Sequence, residues 1–432
     1  MGTCDVDLLR DVPEAAVRLF CGAGVERQDD SVVISLDGRS IAFPLHVYFE
    51  AIKVLDRLRP RAVASVSDVL ELRHEAEDLF LENLFHGDKK VPKVLFVPCG
   101  TTAGAYYRAM IPSDVASGRG DFVAHFTHRL DLSKALRYDV LWIQLVASPI
   151  LVEIAGKAKE RGVKIVYDLD DDPWSIPHEN PASAVYTSDH VAVMESLMRM
   201  ADLVTVSTAY LGEKVSGRLG GSARVKVLPN LLPCPAWPKK ARPSGAERPI
   251  RILWAGSPTH RIDLDVCAEA LGKVLIRHKG GVRLTLFGET PPERLGDARV
   301  FVDVIRPVNF EDYQATLAEV GADVAIAPLK DIEFNRSKSA IKALEYGACG
   351  YPMILSPVGE YPKVVADGLK ASLVRDGEWE AALEDAVSRR SELAEIGEEC
   401  SRWVRSNRCL MGSRAQQWVD VATEIVSYAA VA

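Results

Sequence analysis

The chain has 432 residues, with 52 Lys+Arg against 60 Asp+Glu, which gives a formal charge of −8. Hydrophobic residues make up 48% and charged residues 26%, values typical of globular proteins that exclude a largely disordered chain. No apolar run approaches the ~20 residues that a membrane-spanning helix needs. The N-terminal segment lacks the basic-then-apolar order of a signal peptide. The acidic balance argues against a protein held mainly by nucleic acid phosphates.

The eight cysteines form neither a CxxC pair nor a metal-ligand spacing; they stand at positions 4, 21, 99, 234, 267, 349, 400 and 409. In a chain of this length, scattered cysteines are typical of reduced core thiols in the cytosol. We therefore expect a cytoplasmic protein whose cysteines are reduced.

Residues 1–90 stand apart from the rest of the chain and predict a small α+β module. Ser31–Val47 forms two alternating runs around Asp37-Gly38, and Asp-Gly tolerates the positive φ that a hairpin turn needs. Val54–Leu84 then carries apolar residues at helical spacing among many charges. No residue of this module carries recognisable chemistry, so its role stays open.

Two series of short apolar runs follow, each alternating with helical stretches. The first series predicts strands in the segments VLFVP (94–98), DVLWIQLV (139–146), VKIVYDL (163–169), DLVTVS (202–207) and RVKVLP (224–229). The second predicts strands in RILWAG (251–256), VRLTLFG (282–288), ARVFVDV (298–304), ADVAIAPL (322–329), PMILS (352–356) and ASLV (371–374). Near-continuous apolar strands between helices indicate a parallel sheet covered on both faces.

The predicted fold is therefore α/β, with two Rossmann-like parallel-sheet domains facing a cleft and the small α+β module in front. We place the first sheet domain at 91–235 and the second at 250–395. A segment rich in proline, glycine and cations predicts a linker at 236–249. Helical spacing without a further strand predicts C-terminal helices at 396–432. Ligands of such sheets bind outside the carboxyl ends of the strands.

Two strand ends of the first domain carry candidate residues. Gly100 and Gly104 follow the first strand, where a glycine turn lets a ligand approach a helix N-terminus, and Arg108 lies one turn further on. The alternative is an ordinary tight turn. The strand VKIVYDL ends in the cluster Asp168, Asp170, Asp171 and Asp172, with Trp174 behind it. So many carboxylates suit a Mg²⁺ or Mn²⁺ site, sugar hydroxyl recognition or acid–base catalysis.

The second domain opens with Gly256-Ser-Pro-Thr-His260-Arg261, where a close backbone, hydroxyls and cations favour an anion site. Further on, Asn335 and Ser337 are candidate N-caps of a helix whose first turn, with Lys338 and Ser339, suits phosphate. Lys338, Lys342 and Glu345 share one helix face. Lys342 and Glu345 are equally compatible with a mere surface ion pair.

The sequence resembles the GT-B glycosyltransferases, and most closely the family 4-like retaining enzymes that use nucleotide sugars. The resemblance rests on the two sheet units, a strand ending in Pro229-Asn230, the glycine turn at Gly256, and the signature Glu345-Tyr-Gly-Ala-Cys-Gly-Tyr-Pro352. It covers the chain from Lys93 to the C-terminus and is closest to a subgroup of polysaccharide-biosynthesis and phage-encoded enzymes.

The chain departs from the family pattern at two places. Two glutamates eight positions apart bind the donor in the family; Glu345 matches the second, which contacts the ribose, but Ser337 stands at the first. The family's Gly-Arg and Lys phosphate pair is also missing. The resemblance therefore assigns the positive charge at the diphosphate to His260, Arg261 and Lys338.

The resemblance implies transfer of a sugar from a nucleotide diphosphate sugar, UDP- or GDP-linked, to an acceptor hydroxyl with retention and without a metal or other cofactor. It implies Asp170, Lys338 and Glu345 as catalytic residues. The implied nucleotide-sugar-binding residues are Gly100, Gly256, Ser257, His260, Arg261, Asn335, Ser339 and Glu345. The implied acceptor-side residues are Arg108, Asp171, Asp172 and Trp174.

Two alternatives stay open: a nucleotide-sugar epimerase of the same fold, and a catalytically degenerate nucleotide-sugar-binding protein. The acceptor is equally open between a saccharide, a lipid-linked sugar, a protein side chain and a modified nucleobase. Nucleic acid would be a partner only as the acceptor that carries such a modified base. Peripheral membrane contact stays open, and the oligomeric state is not predicted.

Overall fold

The computed structural model describes residues 24–28, 31–36, 39–44, 92–100, 102–117, 123–221, 224–234, 237–240, 248–308, 310–411 and 413–427. Strands β1 (Gly24–Gln28), β2 (Ser31–Leu36) and β3 (Arg39–Pro44) form an antiparallel sheet in that order. Leu36 of β2 pairs with Arg39 of β3. The turn predicted at Asp37-Gly38 lies outside the described residues. Strand β1 was not predicted, and the helix expected at 54–84 lies outside the described residues.

The first parallel sheet has six strands in the order β5-β4-β6-β7-β8-β9. They are β4 (Lys93–Val97), β5 (Val123–Phe126), β6 (Val140–Gln144), β7 (Lys164–Leu169), β8 (Leu203–Val206) and β9 (Val225–Val227). Its helices are Ala103–Ala105, which runs through the π-helical Tyr106–Met110 into Ile111–Ser117, then Leu132–Ala135, Pro149–Glu160, Ser188–Met200 and Ala209–Arg218, with a 3-10 turn at Pro181–Ala184.

The second parallel sheet also has six strands, in the order β12-β11-β10-β13-β14-β15. They are β10 (Ile250–Ala255), β11 (Val282–Phe287), β12 (Val302–Ile305), β13 (Val324–Ala327), β14 (Met353–Leu355) and β15 (Ser372–Leu373). Its helices are Arg261–Leu264, Ala268–Arg277, Phe310–Glu319, Glu333–Arg336, Ile341–Cys349, Tyr361–Ala366, Trp379–Ser388 and Leu393–Asn407, with 3-10 turns at Pro258–His260 and Glu293–Phe301.

The prediction of two Rossmann-like sheet domains is confirmed. The central strands are buried along their whole length because helices cover both faces of each sheet, as their continuous Val, Ile and Leu runs require. Every strand pair of the two sheets is parallel, so the carboxyl ends of each sheet gather at one edge. The two edges face each other across the cleft that holds the residues discussed below.

The C-terminal helix Ser413–Ser427 returns to the first domain instead of extending the second. The Trp418 ring stacks on Trp142 of the first sheet with ring centroids 5.2 Å apart, and Phe96 packs on both. Within the predicted linker, Trp237 is buried and donates its indole N–H to the Cys349 sulfur at 3.2 Å. The chain therefore crosses between the domains twice, near 230–237 and near 408–413.

A disulfide joins these two crossings, between Cys234 and Cys409. The expectation that all cysteines are reduced is therefore wrong for this pair, which sequence spacing could not reveal because its members are 175 residues apart. Cys99, Cys267, Cys349 and Cys400 are free. The cytoplasm stays a prediction, and the disulfide weighs against it because such bonds are rare there. None of the described helices is long and apolar enough to cross a membrane.

Candidate functional site

Three adjoining cavities lie in the cleft between the two domains. The large cavity, of about 280 Å³, extends from Tyr107 to Pro307 and Val308. The central cavity, of about 160 Å³, contains Asp170 and Lys338. The side cavity, of about 80 Å³, lies between Tyr186 and Phe334. His260 lines all three, so it stands where they meet.

The acidic cluster is not one site, because two of its carboxylates have buried structural partners. Asp168 is buried and accepts two hydrogen bonds from the equally buried Arg108 guanidinium, at 2.9 and 2.6 Å, and one from Thr205. Arg108 also donates to Asn230 Oδ1 at 3.0 Å and lies over the Trp418 ring. The structure therefore removes Arg108 from the acceptor side, where the sequence predicted it, and gives it a structural role.

Asp172 and Trp174 are likewise turned away from the cavities named above. The buried Asp172 pairs with Lys214 at 2.5 Å, and Lys214 also reaches Glu333 of the second domain. The Trp174 indole donates to Glu195 at 2.9 Å and its ring lies under Arg218. Asp172 and Trp174 line none of these three cavities and hold the loop after β7 in place; their role on the acceptor side stays a prediction.

Asp170 and Asp171 are the two members of the cluster that line the central cavity. Asp171 accepts a hydrogen bond from Lys338 across the cleft at 3.0 Å. Asp170 accepts one from Gln144 at 3.2 Å and lies against Gly104, where a Cβ atom would stand 2.3 Å from Oδ2. Burial raises the pKa of the Asp170 carboxyl to about 7, and the charges of Asp171 and Asp168 add to the rise. A carboxyl with such a pKa can exchange a proton near neutrality.

Gly100, in contrast, stands at an exposed turn with φ +65° and lines none of the three cavities. The interpretation of this segment as an ordinary tight turn therefore holds at Gly100. Close approach of the backbone occurs at Gly104 instead.

On the second-domain side, two glycines leave a recess of bare backbone in the wall of the large cavity. Gly256 has no room for a side chain, because a Cβ would lie 2.8 Å from the Trp254 ring and 3.0 Å from Lys342 Nζ. Gly288 (φ +95°) faces it, and a Cβ there would lie 2.4 Å from the Gly256 carbonyl oxygen. Ser257 also lines this cavity and shares a hydrogen bond with Thr259.

The Lys342 ammonium group is the main cation of the large cavity. It lies 5.0 Å over the Trp254 ring and beside Gly256, and no described residue forms an ion pair or hydrogen bond with it. Burial lowers its pKa to about 8, so it is largely charged at neutral pH. Helix Ile341–Cys349 begins here, and its N-cap residue, Ala340, has no side chain that could accept from the first-turn N–H groups. A free ammonium group beside an uncapped helix start favours an anion.

His260 does not supply the positive charge that the sequence predicted. Its Nδ1 lies 2.9 Å from Asp263 Oδ2, and Asp263 in turn accepts from the Asn335 amide at 2.6 Å. Burial and then the nearby Lys342 charge lower the pKa of His260 to about 4, so the ring is neutral at pH 7. Arg261 is also turned away from the three cavities: it is half-exposed and faces Glu289 and Thr290.

The predicted N-caps are wrong as well. Asn335 is buried inside the short helix Glu333–Arg336, where its amide binds Asp263 and the Lys330 carbonyl oxygen. Ser337 is buried at the end of that helix, and its hydroxyl has no partner among the described residues. Ser339 lines the central cavity and accepts a hydrogen bond from Asn230 across the cleft at 2.9 Å.

Glu345 lies buried at the inner wall of the large cavity. Its two carboxylate oxygens accept hydrogen bonds from Tyr107 at 2.6 Å and from Tyr313 at 2.9 Å, one tyrosine from each domain. Burial raises the pKa of this carboxyl, while the two hydroxyl groups and Lys342 oppose the rise. Each oxygen keeps a second lone pair for a ligand hydroxyl.

Sequence reasoning missed Tyr107, Asp263 and the role of Lys342. For Lys342 a signal existed: it recurs on the face of Glu345, but the spacing alone did not separate a cavity from a surface. Tyr107 and Asp263 carried no motif. Among the described residues, no group of three or more His, Cys, Asp or Glu side chains is arranged to hold a metal ion.

Comparisons with known proteins indicate which class of protein has this fold. Residues 249–392 match the family model described as Glycosyl transferases group 1. Sucrose-phosphate synthase from Thermosynechococcus elongatus has a TM-score of 0.55 at 13% identity, over 78% of this chain and 100% of that one. HepE from Anabaena, in complex with UDP and glucose, has a TM-score of 0.54 at 13% identity, over 77% and 99%.

WaaG, a glycosyltransferase involved in lipopolysaccharide biosynthesis, has a TM-score of 0.52 at 15% identity, over 76% of this chain and 99% of its own. No curated protein matches the chain. The fold is therefore the GT-B fold that the sequence predicts, since likeness at this identity speaks to the fold. The match to the group 1 glycosyltransferase model lies in its second domain.

Proposed function

We propose that the protein transfers a sugar from a nucleotide diphosphate sugar to an acceptor hydroxyl, with the donor in the large cavity and the reaction in the central one. The observation that carries the proposal is the Lys342 ammonium group, unpaired among the described residues, beside Gly256 and within the same cavity as Glu345. A cation, a bare backbone and a carboxylate in one cavity match a diphosphate next to a ribose.

The lining of the large cavity supports this orientation of the nucleotide. Pro307 and Val308 line the large cavity but not the central one, and so does Tyr313, whose ring stacks on Phe287 at 5.4 Å. This apolar part suits a base, Glu345 suits the ribose hydroxyls, and Lys342 suits the diphosphate. The sugar would then point into the central cavity toward Asp170.

The proposed reaction step depends on the charges around the departing diphosphate. As the bond between the sugar and the diphosphate breaks, negative charge grows on the departing oxygen, and Lys342, Lys338 and the start of helix Ile341–Cys349 stabilise it. Lys338 must exchange its present partner, Asp171, for the diphosphate. Asp170 positions the acceptor hydroxyl and accepts its proton, for which its pKa of about 7 is suited.

Retention of configuration and independence of metal ions enter this proposal from the family resemblance. A UDP-linked donor is supported by HepE, whose structure contains UDP and glucose; a GDP-linked donor is the second candidate. The acceptor is a hydroxyl that reaches the side cavity, between Tyr186 and Phe334. We expect a cytoplasmic enzyme.

The test is a panel of UDP-, GDP-, ADP- and dTDP-sugars with the purified protein, followed by thermal shift and by release of free nucleotide. We expect one donor to raise the unfolding temperature and to be hydrolysed slowly. An isomerised sugar nucleotide would instead establish an epimerase, and a shift without turnover would establish a binding protein. No shift with any donor would contradict the proposal.

A further inference from the structure

A sugar in the central cavity needs hydrogen-bond acceptors, and several acceptors there already have a partner. Lys338 and Lys342 only donate. Asp171 accepts from Lys338, and Asn230 accepts from Arg108 while its amide donates to Ser339. The His260 ring lines this cavity and has one nitrogen, Nε2, without a partner among the described residues, and Asp170 is assigned to the acceptor hydroxyl.

The geometry around His260 fixes which of its nitrogens can accept. Asp263 is ionised, because the hydrogen bonds from His260 and the Lys330 N–H outweigh burial and keep its pKa low. An ionised carboxylate only accepts, so His260 Nδ1 must carry the hydrogen at 2.9 Å from Asp263. In the neutral ring, Nε2 then has a free lone pair.

Asp263 is itself held rigidly. Its other oxygen accepts from the Asn335 amide at 2.6 Å and from the Lys330 N–H at 3.1 Å, so both oxygens are fixed. The two cations near the ring, Lys342 and Lys338, oppose a second proton on it, whereas Asp263 favours one. The ring therefore stays an acceptor at neutral pH.

We infer that His260 binds a hydroxyl group of the transferred sugar through Nε2, and that Asp263 is the positioning residue that makes Nε2 an acceptor. The pair takes over the task that a carboxylate at position 337 would otherwise perform; Ser337 is fully buried and cannot reach the sugar. The inference rests on the proposed function, because it assumes a nucleotide sugar in the cleft.

The decisive comparison is between two amide substitutions of His260. In His260→Asn the amide stands near Nδ1 and keeps the hydrogen bond to Asp263, but nothing replaces Nε2. In His260→Gln the amide oxygen stands near Nε2. UDP and UDP-glucose are the probes, titrated calorimetrically, with UDP-glucose exchanged for the donor that the panel selects.

We expect His260→Asn to bind UDP with an affinity within about twofold of wild type. Its affinity for UDP-glucose should be about tenfold lower, because one hydrogen bond is lost. His260→Gln should retain part of the sugar-dependent affinity. A merely structural role of the ring predicts the opposite order. Equal affinities of wild type and His260→Asn for UDP-glucose would overturn the inference alone; a wild-type protein that binds neither probe would overturn the proposed function with it.

A second measurement tests Asp263 without relying on activity. The ¹⁵N spectrum of His260 should show the Nδ1–H tautomer in the wild type and in the control Asp265→Asn. In Asp263→Asn, whose amide can donate to the ring, it should shift toward the Nε2–H tautomer. An unchanged spectrum in Asp263→Asn would show that Asp263 does not set the tautomer.

Discussion

Asp170 differs from the three other carboxylates of its loop in what surrounds it. Asp168, Asp171 and Asp172 each face a cation, namely Arg108, Lys338 and Lys214. Asp170 has a neutral amide from Gln144 instead, and burial raises its pKa to about 7. One loop therefore contains three charges that hold structure and one group that can exchange a proton.

This difference predicts a pH profile. Asp170 must be ionised to accept a proton, so kcat/KM for donor hydrolysis, with water as the acceptor, should rise with pH through about 7. Lys342 must be charged, so kcat/KM should fall above about 8. The optimum should be narrow, and Asp170→Asn should lose the rising limb together with at least ~10²-fold of the rate. An Asp170→Asn enzyme with the wild-type profile would exclude Asp170 as the base.

Individual residues also show which parts of the site could be predicted from the sequence and which could not. Glu345, Gly256, Lys338 and Asp170 were found because they follow strands or belong to a motif. Arg108 was predicted on the acceptor side but is buried against Asp168. Lys342, which the sequence left open between the site and a surface ion pair, faces the large cavity. Whether a cation meets a carboxylate or a cavity depends on residues 60 or more positions away, as for Arg108 and Asp168. A single sequence does not reveal such contacts.

At the scale of elements, the site depends on strand β10 ending in a residue without a side chain. Gly256 lets the chain pass between the Trp254 ring and Lys342 Nζ. Gly256→Ala should displace Lys342 or the buried Trp254 ring, weaken UDP binding about tenfold or more, and cost about 1–3 kcal/mol of stability through overpacking. The control is Gly217→Ala on helix Ala209–Arg218, where a Cβ meets nothing within 4 Å. Equal UDP affinity in Gly256→Ala would show that the recess is not needed.

Strands could be predicted from the sequence where their side chains are completely buried. The central strands read as continuous apolar runs, and their parallel pairing follows from the helices between them. Strand β5 was missed because its four residues, Val-Ala-His-Phe, form no such run. The start of helix Ile341–Cys349 was misplaced because the capping rule looks for Asn or Ser, and this helix begins after Ala340. An uncapped start is a local weakness that a bound anion offsets.

At the scale of the whole molecule, the two chain crossings tie the domains together. The Cys234–Cys409 disulfide joins them, and beside it the Leu410 N–H donates to the Leu232 carbonyl oxygen at 2.8 Å. Closing so long a loop restricts the unfolded chain, and such bonds typically contribute about 2–4 kcal/mol.

The disulfide therefore predicts a redox-dependent stability. Reduction, or the Cys234→Ala variant, should lower the free energy of unfolding by about 2–4 kcal/mol, measured by denaturant titration. In Cys234→Ala, added reductant should have no further effect. Wild-type protein whose unfolding midpoint is the same with and without reductant would contradict the bond's contribution.

The central claim concerns the whole cleft: the large cavity binds a nucleoside diphosphate through Lys342. The most direct measurement is calorimetric titration of UDP and GDP into wild type, Lys342→Met and the control Lys273→Met, whose side chain is exposed and lines none of the three cleft cavities. Losing a charge-assisted hydrogen bond should weaken binding about 10- to 100-fold in Lys342→Met only. Its unfolding temperature should not fall, because a buried charge is removed. Equal affinity in all three proteins, or no binding to the wild type, would contradict the account.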